Sequence, residues 1–170
     1  MPLASTAPRN GPAAFCGVDV GTQGARCLLV DAGGRVLGEG RCDFAPASDA
    51  ALPEGWFEQD PAQWTDAARR ALRQAVAAAD VPPESVCGIG VTSTSGTLCA
   101  VTGDGTPLGR ALMYSDARSR VEAEAVQQAG AELAASLGYR FKPSFGLPKI
   151  LWLKGHEPDL FEAADFFLSP

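Results

Sequence analysis

The stretch FCGVDVGTQGARCLLVD, residues 15–31, decides the fold of this 170-residue chain. Residues 15–20 and residues 25–30 are two apolar runs, and each run is typical of a short buried strand. The glycines between the runs give the backbone conformations that other residues rarely adopt. The stretch therefore predicts two strands joined by a tight turn.

The turn carries the residues with the clearest chemistry. Asp19 lies inside the first apolar run, where a carboxylate costs free energy unless it is paired, hydrogen-bonded or bound to a cation. Gly21, Thr22 and Gln23 follow it and supply backbone N–H groups and side-chain donors for an anion. A carboxylate that holds Mg²⁺ beside a turn that holds phosphate is what a nucleotide-phosphate site requires.

The segments after the turn predict a meander and then a helix. Residues 35–42 alternate loosely and follow a glycine turn, so we expect a third strand antiparallel to the second. Asp60 and Pro61 are an N-cap and a first helical residue, and the helix is predicted to reach residue 79. Its apolar stripe is predicted to contain Trp64, Ala68, Leu72 and Val76.

A second group of polar residues follows the run VCGIGV, residues 86–91, which is predicted to be a central strand covered on both faces. Hydroxyl side chains dominate residues 92–97, and Thr94 and Ser95 are candidate contacts for a polyol because ligands gather at strand ends in α/β sheets. The alternative is that these hydroxyls only satisfy the backbone of a turn. A strand over residues 98–101 is predicted next.

Further along, a short strand over residues 111–114 leads into a helix predicted over residues 117–136. Asp116 is a candidate helix cap and a candidate sugar contact, and the two roles are compatible. Arg118 either pairs with an acidic neighbour such as Asp116 or Glu122, or is solvated. A helix from Pro148 and a closing strand over residues 166–168 complete the prediction.

Three motifs in register carry a family resemblance. DVGTQGAR, residues 19–26, resembles the first phosphate motif of the FGGY carbohydrate kinases. GWFEQDP, residues 55–61, resembles the segment that opens the first long helix of that family, and YSDAR, residues 114–118, resembles its W-x-D-x-R segment. The TSGT stretch, residues 94–97, is closer to the ribulokinase-like and plant xylulokinase-like branch than to the bacterial xylulokinases.

The resemblance implies an α/β fold of the ribonuclease H-like, actin-like ATPase superfamily, with a mixed sheet, an antiparallel three-strand meander and flanking helices. It implies ATP and Mg²⁺ as cofactors and a small ketose such as D-ribulose or D-xylulose, or a polyol, as substrate. Asp19 would hold the metal, and Thr22 would act with it in catalysis. The residues implied for phosphate binding are Gly21, Thr22, Gln23 and Arg26. Those implied for sugar binding are Thr94, Ser95, Tyr114, Asp116 and Arg118.

Two of these assignments stay open. Arg26 either neutralises phosphate charge or packs on the hairpin. Tyr114 stands where the family usually has Trp. The tyrosine keeps an aromatic wall and adds a hydroxyl group, so the sugar specificity stays open.

Composition excludes several classes of protein. Fourteen basic and twenty acidic residues give a net charge of −6, which argues against nucleic-acid binding. No apolar run approaches the length of a membrane span. Five widely spaced cysteines without a C-x-x-C motif indicate reduced thiols and a cytoplasmic protein rather than a zinc site. A homodimer is compatible with these features.

The resemblance also bears on how much of a kinase is present. Residues 1–14 are interpreted as a disordered leader, and residues 15–170 as an incomplete first domain whose partner domain is absent. The family's general-base Asp and adenosine motifs have no match here. The chain is therefore expected to be the N-terminal part of a kinase, with a catalytically inert sugar-binding or scaffold remnant as the alternative. A chaperone-like or actin-like ATPase shares the opening hairpin but lacks the two later motifs.

Overall fold

The computed structural model describes residues 13–45 and 52–170, which form two compact units. The first unit contains residues 13–45 and 63–93, and the second contains residues 52–62 and 94–170. Residues 1–12 of the predicted leader and residues 46–51 of the predicted loop lie outside the described residues. The first strand begins at Ala14, so the last residue of the predicted leader belongs to the sheet.

The first unit is built on a four-stranded mixed sheet. Its strands are β1 (Ala14–Val20), β2 (Gly24–Asp31), β3 (Val36–Asp43) and β5 (Val86–Ser93). They lie in the order β3-β2-β1-β5. The first three strands form the predicted antiparallel meander, and β5 lies parallel to β1. This arrangement confirms the hairpin and the mixed sheet.

Helix α1 (Ala62–Ala79) packs very closely on β3. A Cβ atom on Gly40 would overlap the carbonyl of Ala71, and one on Gly38 would overlap the carbonyl of Ala75. The Asp60 carboxylate accepts a hydrogen bond from the Ala62 N–H at 3.0 Å, as the predicted cap requires.

The buried stripe of α1 differs from the predicted one. Trp64 is buried as predicted, but the other fully buried positions are Ala67, Ala71 and Ala75, one residue before the predicted Ala68, Leu72 and Val76. The helix turns its alanines to the strand because the glycines of β3 let the two backbones approach, and the larger side chains then lie at the margins of the contact.

Strand β5 lies at one edge of the sheet among the described residues, whereas a central strand was predicted. Ile89 is 56% exposed and Val91 is 67% exposed. The continuous apolar run correctly predicted a strand, but apolarity alone does not say which element covers each face.

The second unit contains two small two-stranded sheets and four helices. Strand β4 (Glu58–Gln59) pairs antiparallel with β7 (Ala111–Leu112), and β6 (Cys99–Val101) pairs antiparallel with β8 (Phe166–Leu168). The helices are α2 (Arg120–Ala129), α3 (Ala131–Leu137), α4 (Gly146–His156) and α5 (Pro158–Ala163). The buried core of this unit contains Leu98, Leu112, Trp152 and Leu153.

The helix predicted over residues 117–136 is two helices. Helix α2 starts only at Arg120, because the Asp116 carboxylate accepts a hydrogen bond from the Arg118 N–H at 2.9 Å and holds the preceding residues in a turn. The helix then ends at Gly130, and α3 ends at Gly138, which has the left-handed φ of 67° that suits glycine. The described part of the chain contains no helix long and apolar enough to cross a bilayer.

Candidate functional site

The turn between β1 and β2 is held from two sides. The Gly21 N–H donates to the Gly24 carbonyl at 2.9 Å, and the Phe44 N–H donates to the Gln23 carbonyl at 2.9 Å. A Cβ atom on Gly24 would lie 2.5 Å from the Cys42 carbonyl oxygen, so only glycine permits this approach of β3. These contacts give the backbone of the turn one conformation, which is what an anion-binding loop needs.

Asp19 occupies the exposed face of the sheet, beside one arginine and in line with a second. It lies opposite Arg26 of β2, Arg26 lies opposite Arg41 of β3, and Thr92 of β5 lies on the other side of Asp19. Residues opposite one another in a sheet project from the same face. The register therefore places a carboxylate and two guanidinium groups in one row across the strands.

Two cavities in the first unit share this row. A cavity of about 190 Å³ is lined by the backbone of the turn, and a larger one of about 970 Å³ lies over the sheet. Asp19, Arg26 and Arg41 line both. The smaller cavity is also lined by Asp43 of β3 and by five further residues of the predicted phosphate motif, Gly21, Thr22, Gln23, Gly24 and Ala25.

The residues of the smaller cavity fit a metal-bound polyphosphate. Asp19 is exposed on the cavity wall, and the Arg26 guanidinium could offer positive charge to phosphate oxygens. Arg41 Nε donates to the Asp43 carboxylate at 2.8 Å, so the charge of Arg41 is shared with a carboxylate that lines the same cavity. The described residues contain no group of three metal-ligating side chains, so Mg²⁺ would take its remaining ligands from phosphate and water, as it usually does. Sequence reasoning missed Arg41, which only the pairing of β3 with β2 places beside Arg26.

In the second unit, Asp116 and Arg118 form a buried ion pair. The Arg118 side chain is 3% exposed, and that of Asp116 is fully buried. Arg118 Nε donates to Asp116 Oδ1 at 2.9 Å, and Arg118 Nη2 donates to Oδ2 at 2.7 Å. The Phe57 N–H also donates to Oδ2, at 2.7 Å. Both carboxylate oxygens therefore receive protein donors.

Residues distant in sequence complete the surroundings of Arg118. Its Nη2 donates to Glu58 at 2.9 Å, and its guanidinium carbon lies 3.8 Å from the centre of the Trp56 ring and 5.0 Å from that of Trp152. Of the alternatives left open for Arg118, pairing with Asp116 is the one that the structure shows. Glu58, Trp56 and Trp152 were not foreseen as its partners, although the GWFEQDP motif signalled the first two.

The predicted sugar residues of the hydroxyl-rich segment lie in the same unit. Ser95 is exposed, Tyr114 is 45% exposed, and the Tyr114 N–H donates to Thr97 Oγ1 at 3.2 Å. Between them, Gly96 has a φ of 80°, and a Cβ atom there would lie 3.6 Å from the Tyr114 Cβ atom. The structure thus brings Ser95 and Tyr114 to one place, and Thr94 precedes them at a half-buried position.

A buried lysine adjoins this region. Lys149 of α4 is fully buried, and its Nζ donates to the Pro143 carbonyl at 2.7 Å. Burial lowers the pKa of Lys149 to about 8, although the charge of Asp116 raises it. Nothing in the sequence pattern distinguished this lysine from a surface residue.

The mixed sheet, an antiparallel meander with one parallel strand beside it, places the chain in a class of protein: it has the actin-like ATPase fold, as its structural matches show. A xylulose kinase from Brucella ovis superposes with a TM-score of 0.80 at 30% identity, covering 92% of this chain and 32% of that structure. The xylulose kinase from Rhodospirillum rubrum gives a TM-score of 0.79 at 25% identity, with the same coverage of each chain.

The sequence matches the FGGY family of carbohydrate kinases, N-terminal domain, over residues 14–170, and the chain belongs to this family. It is 29% identical over 155 residues to the xylulose kinase of Bacillus subtilis, which spans 91% of this chain. It is 32% identical over 149 residues to the glycerol kinase of Alkalilimnicola ehrlichii, which spans 85% of this chain. The chain spans about 30% of the length of the curated relatives that it matches.

Proposed function

We propose that this chain is the phosphate-binding and sugar-binding part of an ATP-dependent carbohydrate kinase. The observation that carries the proposal is the row of Asp19, Arg26 and Arg41 at the turn cavity. The similarity of the chain to a xylulose kinase and to a glycerol kinase supports the same activity. ATP and Mg²⁺ supply the transferable phosphoryl group and the charge neutralisation that such a reaction requires.

Each residue of the turn has a role in this proposal. Asp19 holds Mg²⁺ directly or through a water molecule, and Thr22 with the amides of Gly21 and Gln23 binds phosphate oxygens. Arg26 neutralises phosphate charge rather than packing on the hairpin, because it lines both cavities. Fixed donors and cations of this kind stabilise the charge that spreads over the phosphoryl oxygens during transfer.

The second unit takes the sugar. We assign Thr94, Ser95 and the aromatic wall of Tyr114 to contacts with a small ketose or polyol. Asp116 and Arg118 were predicted as sugar contacts, but their buried pairing supports a positioning role behind the wall. Xylulose kinases and glycerol kinases among the relatives support a substrate of this size, and D-xylulose is the ketose we propose to test first.

An ADP-release assay with MgATP and a panel of D-xylulose, D-ribulose and glycerol tests the proposal, run on the complete kinase that would carry this chain as its N-terminal part. Sugar-dependent ADP release that disappears in Asp19→Asn, with sugar binding retained, is the expected result. Asp31→Asn is the matched control, because Asp31 lies at the far end of β2, where it pairs with Arg35.

Other outcomes of this assay decide between the alternatives. Sugar-induced thermal protection without ADP release would favour a sugar-binding remnant over an enzyme. ADP release that Asp19→Asn leaves near normal would refute the metal-binding role of Asp19. We also propose a cytoplasmic location, because the cysteines of the described residues are free thiols, which are typical of a reducing compartment.

A further inference from the structure

Lys149 is an unusual residue for the interior of this unit. Its side chain is fully buried although it stands on α4 beside the apolar Ile150 and Trp152. A buried ammonium group is costly unless it is hydrogen-bonded and faces opposite charge. The bond from Nζ to the Pro143 carbonyl, 2.7 Å long, is therefore a defined contact rather than a chance approach.

The Pro143 carbonyl is the anchor point of residues 142–145. It accepts a second hydrogen bond, from Ser119 Oγ at 3.3 Å. The Phe145 N–H donates to the Lys142 carbonyl at 3.0 Å and closes a turn around Pro143. The segment is thus held to α4 by Lys149 and to the start of α2 by Ser119.

This anchored segment touches the turn that carries Ser95. A Cβ atom on Gly96 would overlap the Ser144 carbonyl oxygen, so the two backbones are in direct contact. The same side of Gly96 also adjoins the Tyr114 Cβ atom. A shift of residues 142–145 would consequently displace the turn at Gly96, which follows Ser95 and adjoins Tyr114.

We propose that Lys149 is a positioning residue for the sugar site: through the Pro143 carbonyl it holds residues 142–145 against Gly96 and so sets the placement of Ser95 and Tyr114. The inference rests on the proposed function of this unit in sugar binding. Lys149 itself touches no substrate, and it acts through the backbone.

Charged side chains surround Lys149. Asp116 attracts the ammonium group and Arg118 repels it, while Glu58 pairs with both Arg118 and Arg110. Asp116 is therefore the carboxylate whose charge favours the ammonium form of Lys149. A neutral replacement such as Lys149→Met fills similar volume but removes both the donor to Pro143 and the charge that faces Asp116.

The test uses the 170-residue chain and three variants: Lys149→Met, Lys149→Arg, and Lys154→Met as a matched control on the exposed side of the same helix. Amide hydrogen exchange of Phe145 and Tyr114 reports the local contacts. We expect exchange at these two amides to accelerate about tenfold or more in Lys149→Met, in part to be restored in Lys149→Arg, and not to change in Lys154→Met. Unchanged exchange, or acceleration spread evenly over the chain, would overturn the inference.

Titration with D-xylulose separates this inference from the proposed function. A dissociation constant raised about fivefold or more in Lys149→Met, with Lys154→Met unaffected, supports the positioning role. Equal affinity in Lys149→Met and the parent chain overturns it. If the parent chain binds no sugar, the proposed function fails for this unit, and the exchange experiment still decides whether Lys149 holds the segment.

Discussion

Asp116 receives the guanidinium group of Arg118 on both of its carboxylate oxygens, at 2.9 Å and 2.7 Å, in a place where neither side chain reaches solvent. Charged pairs of this kind stabilise a fold only while both partners are present. The pair joins the segment before α2 to Glu58 and Phe57 of the GWFEQDP motif.

Asp116→Asn is expected to lower the free energy of unfolding by about 3 kcal/mol, because it leaves the buried guanidinium of Arg118 with Glu58 as its remaining acidic partner. Urea unfolding monitored by tryptophan fluorescence measures the change, since Trp56 and Trp152 adjoin Arg118. Asp66→Asn is the control: it breaks an exposed pair with Arg70 of similar length, 2.9 Å, and should cost less than about 1 kcal/mol. Equal losses in the two variants would show that burial of the Asp116 pair has no energetic effect.

Gly40→Ala is expected to destabilise the first unit by about 2 kcal/mol, because the new methyl group would overlap the Ala71 carbonyl and force α1 away from β3. Gly17→Ala is the matched control on β1, since a Cβ atom there would meet nothing within 4 Å. The control should be neutral or slightly stabilising, as the unfolded chain loses entropy. Circular dichroism during urea unfolding compares the two variants. A Gly40→Ala chain as stable as the parent would contradict the close packing of α1.

The lowered pKa of the buried Lys149 amine predicts how the stability of the chain depends on pH. In the folded chain its pKa is lowered from 10.5 to about 8 by burial, so between these values the unfolded chain binds more protons than the folded one. The free energy of unfolding contributed by Lys149 should therefore rise with pH across this window, by on the order of 3 kcal/mol in total.

Urea unfolding at a series of pH values from 7 to 10.5 checks this sign, with Lys149→Met as the reference. The difference between the parent and the variant isolates Lys149, because ionisation of the cysteines affects both proteins equally. A difference that stays constant or falls with rising pH would contradict the burial of a protonated amine at neutral pH.

The cysteines should differ widely in their reactivity. Burial raises the pKa of Cys27 to about 12, assisted by a hydrogen bond with Cys16, and burial raises the pKa of Cys99 to about 11. The thiolate is the reactive form, and Cys87 is the exposed member of the set. With iodoacetamide at pH 8, peptide mass mapping should find Cys87 modified first and Cys27 and Cys99 protected. In urea all five cysteines should react at similar rates, and rapid folded-state modification of Cys27 would contradict its burial.

The sequence by itself determined the hairpin and its chemistry. The apolar runs of residues 15–20 and 25–30 and the glycines between them sufficed to predict β1, β2 and their turn, because these features depend on neighbouring residues alone. Three motifs in register were enough for the family, which the match over residues 14–170 confirms. The cap at Asp60 and the strand over residues 166–168 followed from local signals in the same way.

Only the tertiary structure decided which residues meet. The buried stripe of α1 lies one residue before the predicted one, because Gly38 and Gly40 of β3 leave room for the helix backbone and its alanines to pack closely. Glu58 reaches Arg118 across sixty positions of sequence, and Arg41 stands beside Arg26 only through the register of β3. The burial of Lys149 likewise depends on the fold around it, because burial and charge pairing are set by non-local contacts that no local pattern encodes.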